Sequence, residues 1–447
     1  MPVSITNPGI HRLRVAGIAD ASGVVAEPRD VLIDLRPGEI NLLAIGTPEQ
    51  VNRHESTRCA QLVDLPNQLL LPGFVNAHTH LDLTHLGPIA HDPADGFETW
   101  VAKISGVRAT NPEAIADSVQ LGVDLCLAGG TVAVADIAGP IKGEPTLVPA
   151  RVLRASPLVG VSFVEHFGIG HIEVPWLKRI AHLLAEHESE VCDRSGGVRI
   201  GLQPHAPYST SLRSCRRALE HAQKLDLPLA THLAESLDER RLVEKGVGPL
   251  REFAERGGFW SDDMAEELGN GLRPIEYFAD VLGASDRRWL LSHVADANDG
   301  EIQTLVRAGA SVAYCPRAAD YFDTPGALGP HRYKDMLAAG VNVCIGTDSI
   351  ACLPASAADP GHGISILDEL RLLHRRDETD PVMLIGMGTL NGASALGLRE
   401  GGFLIQPGAT PLGLNVVTIP DGDGDPLGRV LGGDEPVEPV CVAAAVR

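Results

Sequence analysis

Between residues 67 and 397 the sequence repeats one pattern: a short apolar segment, a polar turn, and a segment of helical periodicity. Apolar runs bounded by turn residues predict buried strands, and amphipathic spacing predicts the helices that cover them. Eight such strands alternating with helices predict an α/β fold, a closed (β/α)8 barrel of the TIM type. The predicted strands are Leu71–Leu81, Thr131–Ile137, Arg151–Val161, Val198–Pro204, Pro228–Leu233, Trp289–Val294, Ser311–Tyr314 and Val341–Gly346.

An open, doubly wound sheet is the alternative fold for such a pattern. No Gly-x-Gly-x-x-Gly motif follows a predicted strand, so a dinucleotide-binding sheet has no support from the sequence. The helical segments between the strands include Pro112–Leu127, Pro175–Cys192, Leu212–Leu225, Asp299–Ala308 and His331–Ala339.

Both ends of the chain differ from the middle, because short strand-like runs are broken there by Gly, Pro and Asp. We expect residues 1–66 and 398–447 to pair into a small β-sandwich domain beside the barrel at 67–397. The predicted terminal strands are Leu13–Ile18, Val31–Leu35, Leu42–Ile45, Leu414–Ile419 and Val440–Val446.

The composition of the chain limits the classes of partner that it is expected to bind. The chain has 447 residues with 37 Lys plus Arg against 58 Asp plus Glu, a formal charge of −21. This acidity disfavours nucleic acid and anionic membranes as partners, and a small-molecule substrate is expected instead. No apolar run is long enough to span a bilayer, and no signal peptide is evident. Eight scattered cysteines without a CxxC pair are typical of a cytosolic protein.

The tripeptide His78-Thr79-His80 follows the apolar run that begins the first barrel strand. Side chains two positions apart on a strand point to the same face. Both imidazoles can therefore reach one metal ion at the carboxyl end of the strand, where barrel enzymes place their reacting groups.

Later strand ends carry the same kinds of side chain. His205 follows the fourth strand, His232 and Glu235 the fifth, His293 the sixth, and Asp348 the eighth. A histidine after one strand is common, but four coincidences in register with an eightfold pattern indicate a shared site.

The motifs HTH, PHAPYS, THLAES, SH and GTDS, in this order and spacing, resemble the amidohydrolase superfamily. The similarity is to its branch of cytosine, guanine, chlorotriazine and adenosyl-type aminohydrolases. It covers nearly the whole chain. The resemblance implies one divalent metal ion held by His78, His80, His232 and Asp348.

The resemblance also implies catalytic and substrate-binding roles. Glu235 would be the proton shuttle, His293 would position or polarise the substrate and the attacking water, and Asp348 would act beside the metal. His205 would contact the substrate's heterocycle, and Trp100 would supply an aromatic face against it.

The chemistry of these residues leads to the same reading. Three imidazoles and a carboxylate suit a borderline ion such as Zn²⁺ or Fe²⁺, which lowers the pKa of bound water to about 7. A carboxylate that takes the water proton can protonate the ring and then the departing amine. Two-metal relatives use a lysine at the fourth strand, and Val198–Tyr208 contains none, so a single ion is expected.

Substrate identity is less constrained. Nucleoside-type members carry a ribose-binding acid shortly after the tryptophan, and residues 105–109 supply none. The segment Gly246–Leu250, together with HTHLDLT and FETW, resembles aminofutalosine-deaminase-like members.

The sequence therefore predicts a mononuclear metal-dependent aminohydrolase acting on an amino-substituted N-heterocycle or a modified nucleoside through metal-bound hydroxide. A triazine chlorohydrolase or a cyclic amidase on the same site is the enzymatic alternative, and a non-catalytic structural homologue is the remote one. Enzymes of this branch are often dimers, so a homodimer is one of the expected assembly states.

Overall fold

A computed structural model describes residue 5 and residues 7–284 and 288–443. Among these residues no helix is long and apolar enough to cross a membrane.

The barrel predicted from the repeat is present. Its strands lie in one parallel sheet in chain order, and the isolated parallel bridge between Thr79 and Asp348 joins the first strand to the end of the last. With all strands numbered in chain order, the barrel strands are β6 (Phe74–Thr79), β7 (Thr131–Ala138), β8 (Val159–His166), β9 (Val198–Pro204), β10 (Leu229–Leu233), β11 (Trp289–His293), β12 (Ser311–Tyr314) and β13 (Asn342–Ile345).

Helices cover the outside of the barrel. The predicted helices at Leu212–Leu225 and Asp299–Ala308 occur with those bounds. In chain order the helices of the described residues are α1 (Pro48–Val51), α2 (Phe97–Val107), α3 (Pro112–Ala128), α4 (Val148–Arg154), α5 (Glu173–Glu186), α6 (Glu188–Val191), α7 (Leu212–Leu225), α8 (Leu237–Lys245), α9 (Pro249–Arg256), α10 (Asp262–Glu267), α11 (Pro274–Gly283), α12 (Asp299–Ala308), α13 (Pro316–Tyr321), α14 (Thr324–Leu328), α15 (Tyr333–Ala339), α16 (Ile366–Asp377), α17 (Pro381–Gly388), α18 (Leu390–Leu396) and α19 (Pro426–Gly432).

The third barrel strand lies further along the chain than the sequence predicted. The predicted strand Arg151–Val161 begins inside helix α4, which starts with Pro149 near its first turn, where proline's fixed φ suits a helix. The true strand, β8, starts at Val159 and ends at His166. The strand therefore ends five residues later than predicted, and Glu165 lies among the polar groups at the mouth of the barrel.

A second sheet is built from both ends of the chain, as expected. Its strand order is β15-β14-β5-β1-β3-β4, with β2 paired to β1. Because β5 runs into β6 with one residue between them, this sheet leads directly into the barrel. The predicted domain limits at 66/67 and 397/398 stay a prediction. The strands are β1 (Gly9–Asp20), β2 (Gly23–Val25), β3 (Arg29–Arg36), β4 (Glu39–Gly46), β5 (Gln61–Pro72), β14 (Gly413–Thr418) and β15 (Val437–Val442), and the end of the predicted Val440–Val446 strand lies outside the described residues.

The inside of the barrel is filled by small and branched side chains from successive strands. Val75, Ala133, Val161, Ala230 and Leu290 are buried in one cluster. Such side chains close the cylinder below, so that the polar residues gather at its carboxyl end.

Candidate active site

Two ligand-type imidazoles come from the first strand. His78 is buried in β6, and His80 follows directly after it. Nδ1 of His78 hydrogen-bonds to the Ser292 hydroxyl at 2.8 Å, which leaves Nε2 to face the site. Fixing one ring nitrogen through a second group is how proteins orient metal-binding histidines.

His232 lies beside this pair. Its ring centroid is 4.9 Å from that of His78 and 5.5 Å from that of His80. Nδ1 of His232 lies 3.1 Å from the carbonyl oxygen of His205; in the tautomer with the proton on Nδ1, that oxygen accepts a hydrogen bond and Nε2 keeps its lone pair. The three imidazoles predicted as ligands are therefore adjacent.

Asp348 completes the group from the last strand. Its Oδ1 is 3.7 Å from Nε2 of His78 and 3.5 Å from Nε2 of His80. Ligands about 2.1 Å from a tetrahedral ion lie roughly 3.4 Å apart, so these separations suit one shared ion.

The closure of the barrel sets the position of Asp348. The amide of Asn76 binds Thr347 twice: Nδ2 donates to Oγ1 at 2.7 Å, and Oδ1 accepts from the backbone N–H at 3.1 Å. The carbonyl oxygen of His78 also accepts the backbone N–H of Asp348 at 3.0 Å. At Gly346 a Cβ would lie 2.7 Å from the Cβ of His78, so only glycine allows the two strands to approach this closely.

The protonation states suit metal binding. Burial and the neighbouring imidazoles hold the pKa values of His78 and His80 well below the usual range. Burial lowers the pKa of His232 to about 4 and raises that of Asp348 to about 6. Neutral imidazoles and a carboxylate are the ligand forms that a divalent ion needs.

Buried nitrogens without partners support the same interpretation. Nε2 of His78 and Nδ1 of His80 make no hydrogen bond within the described part of the chain. A buried polar atom without a partner is costly, and a bound cation would satisfy Nε2 of His78. The donor set therefore fits one divalent ion.

Glu235 faces the same site from the loop after β10. Its Oε1 lies 3.5 Å from Nε2 of His293, and its Oε2 accepts a hydrogen bond from the Tyr208 hydroxyl at 3.2 Å. Burial and the nearby Asp348 carboxylate raise the pKa of Glu235 well above its usual range. A carboxylate whose pKa is raised in this way is a stronger base toward the proton of a neighbouring water molecule.

The loop that carries Glu235 is held by Glu239. One carboxylate oxygen of Glu239 accepts the backbone N–H of Ala234 at 2.9 Å, and the other accepts that of Glu235 at 2.7 Å. Ala234 has a φ of 53°, a conformation that a side chain disfavours, and these bonds stabilise it.

The predicted substrate contacts line a cavity beside the proposed metal ligands. This cavity has a volume of about 440 Å³, and His205 and Trp100 are on its wall together with His80, Glu235 and Asp348. A smaller cavity of about 240 Å³ lies on the other side of Glu235, against His293. All of the sequence-predicted site residues thus surround one region.

The structure adds charged residues that the motifs did not reveal. Glu165 and Arg108 line the larger cavity, and Arg108 binds the buried Asp82 through an Nη2 to Oδ2 contact of 2.5 Å. The signal for Glu165 was a polar pair, Glu165-His166, closing the alternating run that starts at Val159. Tyr208 stood inside the PHAPYS motif without a role.

Comparisons with known proteins agree with this geometry. The model of the family described as the Amidohydrolase family matches residues 69–409. The 5-methylthioadenosine/S-adenosylhomocysteine deaminase of Nitratidesulfovibrio vulgaris is 28% identical over 367 residues, 79% of this chain and 72% of that protein. The aminodeoxyfutalosine deaminase of Deinococcus radiodurans is 26% identical over 366 residues, 80% of this chain and 79% of that protein.

A solved structure shares the fold. The aminofutalosine deaminase of Helicobacter pylori, in complex with methylthio-coformycin, aligns with a TM-score of 0.72 at 20% identity, covering 97% of this chain and 98% of that one. At this identity the likeness establishes the architecture alone.

Proposed function

Because this chain belongs to the amidohydrolase family, whose model covers residues 69–409, we propose that it is a mononuclear metal-dependent aminohydrolase. Its reaction is the hydrolytic release of ammonia from an amino-substituted N-heterocycle or a modified nucleoside. The family match confirms the resemblance seen in the motifs, and the named relatives are deaminases of adenosine-type compounds.

The proposed metal site consists of His78, His80, His232 and Asp348, and the ion is zinc or iron. Such an ion, when bound, makes water a nucleophile at neutral pH. The imidazoles are held in their neutral form by burial, and the Asp348 carboxylate lies within 3.7 Å of two of them. These features support a site that prefers a divalent cation to protons.

Glu235 is the proposed proton carrier. It takes one proton from the attacking water and passes it to a ring nitrogen of the substrate. It then carries the second proton, from the hydroxyl group of the tetrahedral adduct, to the amine, which leaves as ammonia when the C–N bond breaks. Its Oε1 and Oε2 lie near His293 and Tyr208, which keep the carboxylate at the boundary of the two cavities. His293 then orients the water and the reacting carbon, while His205 and Trp100 hold the ring.

The observation that carries the proposal is the convergence of these groups. Side chains from four strand ends, separated by 270 residues between His78 and Asp348, form overlapping groups whose ligand-type atoms lie within 4.8 Å of one another, and Glu235 Oε1 is 3.5 Å from Nε2 of His293. A structural homologue that had lost its activity would have no reason to bring them together. The Glu235 carboxylate beside the ligands favours deamination over a reaction that needs no proton on the leaving group.

Two variants test the assignment. Glu235→Gln should retain the metal and lose ammonia release, and His80→Ala should lose the metal in elemental analysis. Glu220→Gln, whose side chain is 57% exposed on α7, is the matched control and should change neither measurement. Undiminished turnover by Glu235→Gln would refute the proton-carrier role.

The leaving group is tested separately. An amino-heterocycle and its chloro analogue are incubated with the metal-loaded enzyme while ammonia and chloride are both measured. Ammonia alone is the expected product, and chloride release would identify the chlorohydrolase alternative. Failure of the purified protein to take up any divalent ion on reconstitution would support the non-catalytic alternative. A homodimer and a cytoplasmic location stay predictions.

A further inference from the structure

Glu165 is a buried carboxylate that the proposed reaction does not use. It lies at the end of β8, is 1% exposed, and lines the larger cavity. Its Oε1 is 3.8 Å from Nε2 of His205. Ligand-type atoms of Glu165, His205 and His232 all lie within 4.8 Å of one another. The carboxylate therefore lies beside His232, one of the proposed metal ligands, and faces the cavity in which the substrate's ring would bind.

Arg108 favours the charged form of Glu165 against the effect of burial, and the surroundings leave both carboxylate oxygens available. Nη1 of Arg108 is 3.8 Å from Oε2, which is close enough for an ion pair but too far for a hydrogen bond. Burial raises the pKa of Glu165 to about 7, and Arg108 opposes that shift. Within the described residues, no side-chain hydrogen bond reaches either oxygen, so the carboxylate has unused acceptor capacity toward the cavity.

This arrangement is built into the fold. Arg108 is shared between Glu165 and Asp82, and its Nη2 contacts Asp82 Oδ2 at 2.5 Å. A Cβ at Gly139 would lie 1.5 Å from Nη2, so the glycine makes the space that the guanidinium occupies. Placing one cation between two buried carboxylates fixes Glu165 without filling its lone pairs.

We propose that Glu165 is a specificity-determining residue that accepts a hydrogen bond from an N–H donor on the edge of the substrate's ring. The enzyme then prefers amino-heterocycles with a second N–H donor, such as 2,6-diaminopurines, over rings that present only acceptors and C–H groups there. This inference rests on the proposed function and names the substrate class of the same site.

The position of Glu165 beside His205 and His232 indicates which part of the substrate supplies this donor, the ring or the sugar of a nucleoside. A sugar hydroxyl of a nucleoside is also a donor, but it lies beyond the ring from the reacting carbon. Glu165 lies beside His205 and His232, which is where the ring itself must sit for a carbon to reach the proposed metal site. An acceptor-only ring would leave the buried carboxylate without a partner, and sites of this kind reject such analogues strongly.

The experiment compares metal-loaded parent enzyme with Glu165→Gln and Glu165→Asp. Substrates are adenine and 2,6-diaminopurine, each as free base, riboside and 2′,3′-dideoxyriboside. The parent should favour the diamino ring by at least about 10-fold in kcat/KM. Glu165→Gln should reduce that ratio to near unity at unchanged metal content. Glu186→Gln, a 57% exposed helix residue, is the matched control and should keep the parental ratio.

Binding measurements separate this inference from the proposed function. Calorimetric titration of both rings into Glu235→Gln, with and without Glu165→Gln, needs no turnover. Tighter binding of the diamino ring that depends on Glu165 supports the inference even if the parent enzyme releases no ammonia. Absence of ammonia release by the parent enzyme would contradict the proposed function alone. Equal binding and equal kcat/KM for the two rings would overturn the inference while ammonia release still supports the function.

Two further outcomes are decisive. If Glu165→Gln weakens only the ribosides, the donor is a sugar hydroxyl and the ring-edge assignment is wrong. If Glu165→Gln does not fold, Glu165→Asp decides, because it keeps the charge but withdraws the carboxylate from the ring. It should lose preference for the diamino ring while retaining the metal, and an unchanged preference would overturn the inference.

Discussion

Replacing Glu239 with alanine should impair catalysis far more than stability. Glu239 is fully buried near the start of α8 and accepts the backbone N–H groups of Ala234 and Glu235. Without these two bonds the loop that carries the proposed proton carrier is held less firmly, and Glu235 can shift from its position. A displacement of about 1 Å in a reacting group can lower the rate roughly 10²-fold.

The effect on stability is the difference of two opposing contributions. Leaving two buried N–H donors without partners costs about 2 to 6 kcal/mol. Burial raises the pKa of Glu239 to about 7, so at pH 8 the lost carboxylate removes a desolvation cost of about 3 kcal/mol. The net change should therefore be small, between a gain of about 1 kcal/mol and a loss of about 3 kcal/mol in the free energy of unfolding.

The assay measures kcat, KM, metal content and urea unfolding for the parent, Glu239→Ala and Glu244→Ala. Glu244 is on the same helix, ion-paired with Arg240 at its surface, and is the matched control. We expect kcat to fall about 10²-fold in Glu239→Ala with KM and metal content little changed. Parental kcat in this variant, or a loss of kcat that follows a loss of metal, would refute the reasoning.

Three other predictions follow from single contacts. Gly346→Ala should reduce metal content and destabilise the fold by about 1 to 3 kcal/mol, because the new Cβ meets the Cβ of His78 at 2.7 Å; full metal occupancy by elemental analysis would contradict this. Tyr208→Phe should raise the pKa of Glu235 further, since the lost hydrogen bond stabilises its charged form; the acidic limb of kcat/KM should then move to higher pH, and activity at pH 7 should fall about 10-fold. Burial raises the pKa of Glu369 to about 7. The contribution of this group to the stability of the fold is therefore fully present below the unfolded pKa near 4.5, and it is lost as pH rises through 7. Relative to Glu369→Gln, the parent should therefore lose about 2 kcal/mol of stability between pH 5 and pH 8, and a pH-independent difference in urea unfolding would contradict the assignment.

Much of the candidate site could be predicted because its residues end apolar runs. His78 and His232 lie near the carboxyl ends of buried strands and Asp348 follows one, and parallel strands bring their carboxyl ends to one mouth of the barrel. The fold itself was predictable for the same reason, since alternating strands and helices leave few arrangements that bury every apolar face.

Glu165 was missed because periodicity alone does not separate a short apolar helix from a strand. The run around Val152 contains enough apolar residues for either, and the sequence interpretation placed the third strand there. The segment forms helix α4 instead, because Pro149 fits the first turn of a helix, and the helix ends before Pro157 because proline cannot continue it. The role of Arg108 could not be predicted for another reason. Arg108 follows the end of α2, and only tertiary packing brings it close to Glu165.

The orientation of the site depends on backbone strain that no side-chain pattern records. Ala234, His293, Val294 and Asp348 are non-glycine residues with φ between 50° and 70°. The first three end or directly follow barrel strands, and Asp348 lies in the turn after β13. Each such residue costs about 1 to 3 kcal/mol, so the surrounding hydrogen bonds must hold it. The backbone N–H of Val294 bonds to the carbonyl oxygen of Leu233, and that of Asp348 bonds to His78. An extended strand would point alternate residues to opposite faces, whereas these turns redirect consecutive side chains into one cavity. The turns that bring the polar groups together are therefore stabilised only when neighbouring strands are paired. The geometry of the site thus depends on the closure of the barrel.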